Sequence, residues 1–322
     1  HFEHLFEFTP SILVHDLHPD YQSTRYAAQR VTPCPKIAVQ HHHAHIASCM
    51  AENHIVSSVI GVAFDGTGYG TDGAIWGGEF LIANYEGFNR SAHFRYVSMP
   101  GGERAIREPW RMGCSYLDDA GLNSDVFGNR IDKKLMSGVN GLLNRKSFLP
   151  LTSSIGRLFD GVASLIGIRD RTTFEGQAAM ELEWEAMNSD TERTFPFEIC
   201  RTNESDSFQI DFRPLTRGIV LEIKAGTGRA HISRMFHSTL AKIINDVCHL
   251  LRNKSGINQV ALSGGVFMNA LLLDSAHLRL TQNGFEVFTQ RLVPPNDGGL
   301  SLGQLAVAAA QIRKKGERIS CA

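Results

Sequence analysis

The sequence carries almost no charge surplus: 32 basic and 33 acidic residues leave a net charge of −1 over 322 residues. This excludes a global electrostatic pull toward nucleic acid or an anionic membrane and leaves only local patches. Cysteine is sparse and scattered, at Cys34, Cys49, Cys114, Cys200, Cys248 and Cys321, with no Cys-x-x-Cys pair. A zinc knuckle and a disulfide frame are therefore disfavoured, and the set reads as reduced cytosolic thiols. No apolar run approaches the roughly 18 residues that a membrane span needs. The start, His1-Phe-Glu-His4, has neither an initiator Met nor the layout of a signal peptide, so a piece of a longer chain is expected. Composition is otherwise that of a soluble globular protein, with 43% hydrophobic and 20% charged residues. The length predicts one large or two medium lobes.

What is abundant is histidine in one place. Val39-Gln-His-His-His-Ala-His45 puts four of the fourteen histidines within five residues. His41 and His45 have the i, i+4 spacing that places two imidazoles on one helix face. Such a pair can grip a metal ion, and it then needs carboxylate partners elsewhere; the alternative is a polar helix start with solvated or capping histidines. Upstream, Ser11 to Val14 reads as a buried strand, with His15, Asp16 and Asp20 in the loop after it as site or capping residues. A helix is expected over 23–30, a strand over 36–39, and the histidine helix to about Glu52.

Ser57 to Phe64 is a strand-length apolar run that empties into Asp65-Gly-Thr-Gly-Tyr-Gly70. Glycines there let backbone N–H groups approach an anion, and Asp65 at the strand end can reach a cation. A plain hairpin turn is the competing reading, because 74–85 resumes as strand. A further strand is expected over 91–97. Arg104, Arg107 and Arg111 share the spacing of a single cationic helix face, for phosphate, carboxylate or solvent. A lobe boundary is placed within 120–152, giving lobes of residues 1–150 and 151–322.

In the second half, 156–167 reads as an amphipathic helix with a glycine stop, and a helix opens at Gly176. An inserted β-ribbon is expected over about 195–222. His231 to Asn253 is a long helix whose stripe, Ile232 to Leu250, is core packing. Asn258 to Leu272 reads as strand, Ser-Gly-Gly turn and helix, an anion-site layout with Gly264 and Gly265 at the turn and Asn269 one turn into the helix. After a strand at 285–288, Asp297 lies in the loop before a last helix over 301–314. There it is either an N-cap or, placed opposite the first glycine turn, the missing carboxylate ligand.

Alternating strands and helices with a glycine turn in each half suggest an α/β, two-lobed fold of the actin, sugar-kinase and Hsp70 (ASKHA) class, closing on a nucleotide. The five motifs Val39–His45, Phe64–Gly70, Phe174-Glu-Gly-Gln-Ala-Ala179, Leu262-Ser-Gly-Gly-Val-Phe-Met-Asn269 and Pro294-Pro-Asn-Asp-Gly-Gly299 together resemble the C-terminal domain of the HypF hydrogenase-maturation carbamoyltransferases. That domain is similar to the TsaD-type threonylcarbamoyl-transfer proteins. The resemblance covers essentially the whole chain, with the motifs in family order.

The resemblance implies a metal site of His41, His45, Asp65 and Asp297, suited to Zn²⁺ or Fe²⁺. It also implies a cleft for the AMP moiety of carbamoyl adenylate, an intermediate made from ATP and carbamoyl phosphate. Gly66, Thr67, Asp160, Gly176, Gln177, Gly264, Gly265 and Asn269 are assigned to it, with Asp160 and Gln177 equally able to serve as helix caps or interlobe bonds. The implied reaction passes the carbamoyl group to the C-terminal cysteine of a HypE-like acceptor, toward the cyanide ligands of nickel–iron hydrogenase. It would run in the cytoplasm, with no membrane or nucleic-acid partner. An upstream YrdC-like domain of the longer chain makes the adenylate; this sequence lacks that domain and the zinc-finger cysteines. No catalytic nucleophile is assigned, because the acceptor brings its own thiolate. The rival readings are an O-carbamoyltransferase of natural-product synthesis, a tRNA-modification subunit and a metal- and nucleotide-binding scaffold without chemistry.

Overall fold

In the computed structural model, residues 2–145, 148–202 and 206–320 are described; Cys321 lies outside them. The chain begins with α1 (Phe2–Leu5), β1 (Leu13–Asp16), α2 (Gln22–Gln29), β2 (Lys36–Val39) and α3 (His41–Glu52). Strands β1 and β2 pair in parallel, from Leu13 opposite Lys36 to Asp16 opposite Val39. An antiparallel meander follows: β3 (Val59–Tyr69), β4 (Ile75–Asn84) and β5 (Gly87–Phe94). Then come β6 (Val97–Ser98), α4 (Arg104–Arg107), α5 (Trp110–Asp119), α6 (Lys133–Leu143), β7 (Leu151–Thr152), α7 (Ile155–Leu165) and α8 (Gln177–Ala186). The remainder is β8 (Glu198–Arg201), β9 (Phe208–Asp211), α9 (Arg213–Lys224), α10 (Arg229–Ser255), β10 (Gln259–Ser263), α11 (Ala270–Gln282), β11 (Glu286–Phe288) and α12 (Leu300–Ser320).

The main sheet runs β11-β10-β3-β4-β5-β9-β8, with β6 and β7 attached beside β4. Its strands come from both sides of residue 150, where the sequence reading divides the chain. Both faces of β3 are covered, which is why it reads as a continuous apolar run rather than an alternating one. Ile60, Val62 and Phe64 join the large core under α5, α7 and α10. Val59 and Ala63 point the other way, toward Ile46, Cys49 and Met50 of α3. Gly61 faces α3 so closely that a Cβ there would stand 2.6 Å from Ile46 Cγ1. Helix α3 is in turn covered by α12 through Ala44, Ala47, Leu300 and Val307. Sandwiched in this way, it is buried continuously from His41 to Met50. The stripe on α10 is core as expected, with Ile232, Met235, Phe236, Leu240, Ile243, Ile244 and Val247 buried and Leu250 at the margin.

Four expectations need correction. The Asp-Gly-Thr-Gly segment is not a turn but an irregularity within β3, where pairing with β4 shifts between Phe64 and Gly68. The chain reverses later, at Gly70–Gly73, where Asp72 accepts from Ala74 N–H and Trp76 Nε1–H. The ribbon is only the β8–β9 hairpin; β9 extends the main sheet alongside β5, and residues 213–224 are helix, started by Pro214 in its first turn. The Ser-Gly-Gly turn leads into a 3₁₀ turn (Gly265–Met268), so Asn269 is the N-cap of α11 instead of lying inside it. The arginine face also does not form, because Pro109 separates α4 from α5. Glu108 instead pairs with two of them, 2.5 Å from Arg111 and 3.9 Å from Arg104, and with Arg171 at 3.8 Å.

Candidate metal centre and adjoining cavity

Parallel strands deliver their carboxyl ends to one edge, and site residues of α/β folds gather there. Two parallel sets contribute here, β1 and β2 in one sheet and β3, β10 and β11 in the other. Asp16 ends β1, His41 follows β2 by two residues, Asp65 lies in β3, Gly265 follows β10, and Asp297 is in the loop after β11.

Gln40 caps α3: its Oε1 accepts from His43 N–H at 2.9 Å and its Nε2–H donates to the Tyr69 carbonyl. The first helical turn is thereby fixed, and His41 and His45 face Asp65 together. His41 Nε2 is 3.0 Å and His45 Nε2 3.3 Å from Asp65 Oδ2, and each is 3.6 Å from Asp297 Oδ1. Asp16, 3% exposed, stands behind His41 with Oδ2 2.8 Å from Nδ1. That contact places the proton on Nδ1 and leaves Nε2 as the atom turned inward. Asp65 Oδ1 accepts from Gly265 N–H at 3.1 Å, so the two glycine segments meet at this carboxylate.

Asp297 is placed by α3 itself. Glu52 accepts three successive N–H groups, of Arg291, Leu292 and Val293. Ser48 Oγ–H donates to the Gly299 carbonyl at 2.8 Å. Asn296, not Asp297, caps the 3₁₀ turn at 297–299, so the Asp297 carboxylate is free to face the histidines.

Burial opposes charge on both imidazoles, yet the hydrogen bonds they donate to the carboxylates hold His41 well above, and His45 above, the ordinary value. Asp65, despite burial, is held well below its usual range by the two histidines. His42 and His43 lie off this face. His42 Nδ1 meets the Gln40 amide, and His43 Nε2–H donates to the Asn84 carbonyl at 2.6 Å.

One donor atom from each of His41, His45, Asp65 and Asp297 lies within 4.8 Å of every other, and this group can hold a metal ion. Neighbouring ligand atoms around an ion with bonds of about 2.1 Å stand roughly 3.0–3.4 Å apart. The separations to Asp65, 3.0 and 3.3 Å, fall in that range, and those to Asp297, 3.6 Å each, lie just beyond it.

The cluster opens into a cavity of about 530 Å³. Asp65, Gly66, Thr67, Gly265 and Asp297 line its metal end, and Asp160, Gly176 and Asn269 line the rest. Two residues assigned to the cleft are not brought to it. Gln177 turns inward, accepting from Thr173 N–H and donating to Glu181. Gly264 instead allows close strand packing: its φ is +108°, and a Cβ there would overlap the Phe64 carbonyl.

Two buried charged residues of the cavity lining escaped the sequence reading. Arg157, 5% exposed, has Nη2 2.8 Å from Asp160 Oδ2, while its Nε has no partner. Their i, i+3 spacing on one helix was the available signal. Burial pushes the Asp160 carboxyl up to about 6 even beside Arg157. Glu183, also in the lining, accepts from Leu271 N–H; nothing in its helical pattern marks it.

Residues 61–304 match the model of the carbamoyltransferase, Kae1-like domain (second subdomain), and residues 1–52 match that of the HypF Kae1-like domain. Carbamoyltransferase HypF of Synechocystis is 40% identical over 98% of this chain and 42% of its own length. A carbamoyltransferase HypF homolog of Cupriavidus necator is 38% identical over 93% of this chain and 78% of its own length. Most curated relatives are much longer, and the chain spans about two-fifths of them. Among solved structures, full-length HypF in its phosphate- and nucleotide-bound form superposes with a TM-score of 0.88 at 42% identity, over 95% of this chain and 48% of that one. HypF of T. kodakarensis gives 0.81 at 33% identity, over 92% and 40%. The mixed α/β architecture is accordingly the Kae1-like, ASKHA-type fold. The chain belongs to the HypF carbamoyltransferase family.

Proposed function

We propose that this chain transfers a carbamoyl group from carbamoyl adenylate to the C-terminal cysteine of a HypE-like acceptor, in making the cyanide ligands of nickel–iron hydrogenase. The observation that carries the reading is the convergence of two histidines and two carboxylates at the mouth of a nucleotide-sized cavity. In the reaction the acceptor thiolate attacks the carbamoyl carbon, the carbon–oxygen bond to phosphate breaks, and AMP leaves with the electron pair. His41, His45, Asp65 and Asp297 would hold a divalent ion, zinc or iron, whose Lewis acidity makes the phosphate a better leaving group.

The chain's other residues bind and orient. Gly66 and Thr67 lie where backbone groups can approach the phosphate, and the Arg157 guanidinium adds positive charge in a poorly solvated place. Asp160, Gly176 and Asn269 hold the nucleoside. Gly264 and Gln177 support this wall from behind. The acceptor brings the nucleophile in this reading; within the chain, burial pushes the thiols of Cys49 and Cys114 up to about 12, far from thiolate at neutral pH. An upstream YrdC-like domain of a longer chain would supply the adenylate, and the setting would be the cytoplasm. Among the described residues no helix is long and apolar enough to cross a membrane.

The test supplies preformed carbamoyl adenylate and an acceptor ending in cysteine, and follows the acceptor's mass. Wild type is expected to add one carbamoyl group, and His41→Ala to lose both bound metal and transfer. Retention of both by His41→Ala would refute the scheme. Transfer to hydroxyl acceptors alone would point to the O-carbamoyltransferase reading.

A further inference from the structure

Within the buried stripe of α10 sits one polar ring, His237, 1% exposed. Its Nδ1 is 2.8 Å from the Ser233 carbonyl oxygen. A carbonyl only accepts, so Nδ1 carries the ring proton and Nε2 is a bare acceptor. Asn269 Nδ2 lies 3.0 Å from that Nε2. The orientation of the Asn269 amide follows separately from its role as N-cap: Oδ1 accepts from Leu272 N–H at 2.8 Å. The two ends of one planar amide are thus anchored by different elements, and both anchors demand the same orientation. Ser233 is itself tied down, its Oγ–H donating to the Leu182 carbonyl of α8 at 2.5 Å.

The hydrogen-bond inventory of Asn269 then closes. Its oxygen and one amide hydrogen are occupied, and its side chain borders the cavity. One Nδ2–H is left to offer. With only the helix cap, the amide plane would pivot about the bond to Leu272; the bare nitrogen of His237 stops that pivot.

We infer that His237 is a positioning residue for this site: acting through Asn269, it makes that part of the cavity wall a fixed hydrogen-bond donor, matched to an uncharged acceptor such as a purine ring nitrogen or a ribose oxygen. The identity of the ligand rests on the nucleotide reading above; the positioning role does not.

The experiment is AMP titration by calorimetry on wild type, His237→Phe, His237→Gln, Asn269→Ala and the His237→Phe/Asn269→Ala double variant, each checked for folding by circular dichroism. His237→Phe is expected to weaken AMP binding about tenfold, the scale of one hydrogen bond. His237→Gln, which keeps an acceptor oxygen, recovers most of that loss. In the Asn269→Ala background His237→Phe adds less than about twofold, as for residues acting as one unit. An equal loss in that background, or unchanged affinity in a folded His237→Phe, would overturn the inference. A second arm needs no ligand: nitrogen-15 spectra of histidine-labelled wild type should show His237 as the Nδ1–H tautomer, and an Nε2–H tautomer overturns it. If wild type bound no AMP, the nucleotide reading would fall and the tautomer would still decide the role of His237.

Discussion

Gly303 of α12 and Ala44 of α3 meet backbone to backbone: a Cβ on Gly303 would overlap the Ala44 carbonyl and stand 2.7 Å from Ser48 N. The histidine helix is held against the sheet by this contact. Gly303→Ala is expected to destabilise the fold by roughly 1–3 kcal/mol through overpacking, and to lower metal retention with it. Gly138→Ala is the control, in a helix where nothing lies within 4 Å of the new Cβ; it is expected to gain about 0.5–1 kcal/mol. Thermal melts of the pair check the contrast.

Asp16 bears on the metal centre only through His41 Nδ1. Asp16→Ala should lower metal affinity about 10–100-fold, as expected when an imidazole loses the group that orients it. Competition with a chromophoric chelator measures this. Affinity within about twofold of wild type would mean that the helix alone orients the ring.

The same buried ring that positions Asn269 gives a dependence on pH. Burial, with Arg234 nearby, pushes His237 down to about 4, against 6.5 for a free imidazole. Between those values the unfolded chain binds the proton and the folded chain does not. Stability therefore falls as pH is lowered from 6.5 to 4, by up to about 1.4 kcal/mol per pH unit, and this contribution levels off below 4. Denaturant melts across that range should show the fall in wild type and a shallower one in His237→Phe.

Glu79 is fully buried and fully engaged. It accepts from the N–H groups of Gly77 and Gly78, from Ser153 Oγ–H at 2.5 Å and from Arg90 Nε–H at 2.6 Å. Arg90→Met leaves that carboxylate without its cation and should cost about 3–5 kcal/mol. The double change Arg90→Met/Glu79→Met should recover only part, because Gly77 N–H, Gly78 N–H and the Ser153 hydroxyl then lose their acceptor; urea unfolding of wild type and the two variants tests it.

Strand order was the part of the fold least legible in the sequence. The apolar run at 57–64 and the α10 stripe announced themselves, because period and burial follow directly from which faces are covered. Nothing local tells β3 to lie beside β10, 200 residues on, and the pairing of the glycine segments at Asp65 depends on that neighbour. Of the four-residue cluster, the i, i+4 histidines were readable as a pair, whereas Asp297 read locally as either a helix cap or the missing ligand, and Asn296 takes the cap. Arg157 and His237 were hidden for one reason: each lies on a helix whose apolar pattern looks complete without it.

The order of the site residues along the chain has a consequence for biosynthesis. Ser48 meets Gly299 across 251 residues. At ribosomal rates of about 5–20 residues per second, the segment that brings Asp297 follows the histidine helix by roughly ten to fifty seconds. For that interval His41, His45 and Asp65 exist without their fourth companion, and α3 lacks the α12 surface that covers it. The complete donor set exists only once residue 297 has been made, so an ion that needs all four donors would bind after that segment emerges.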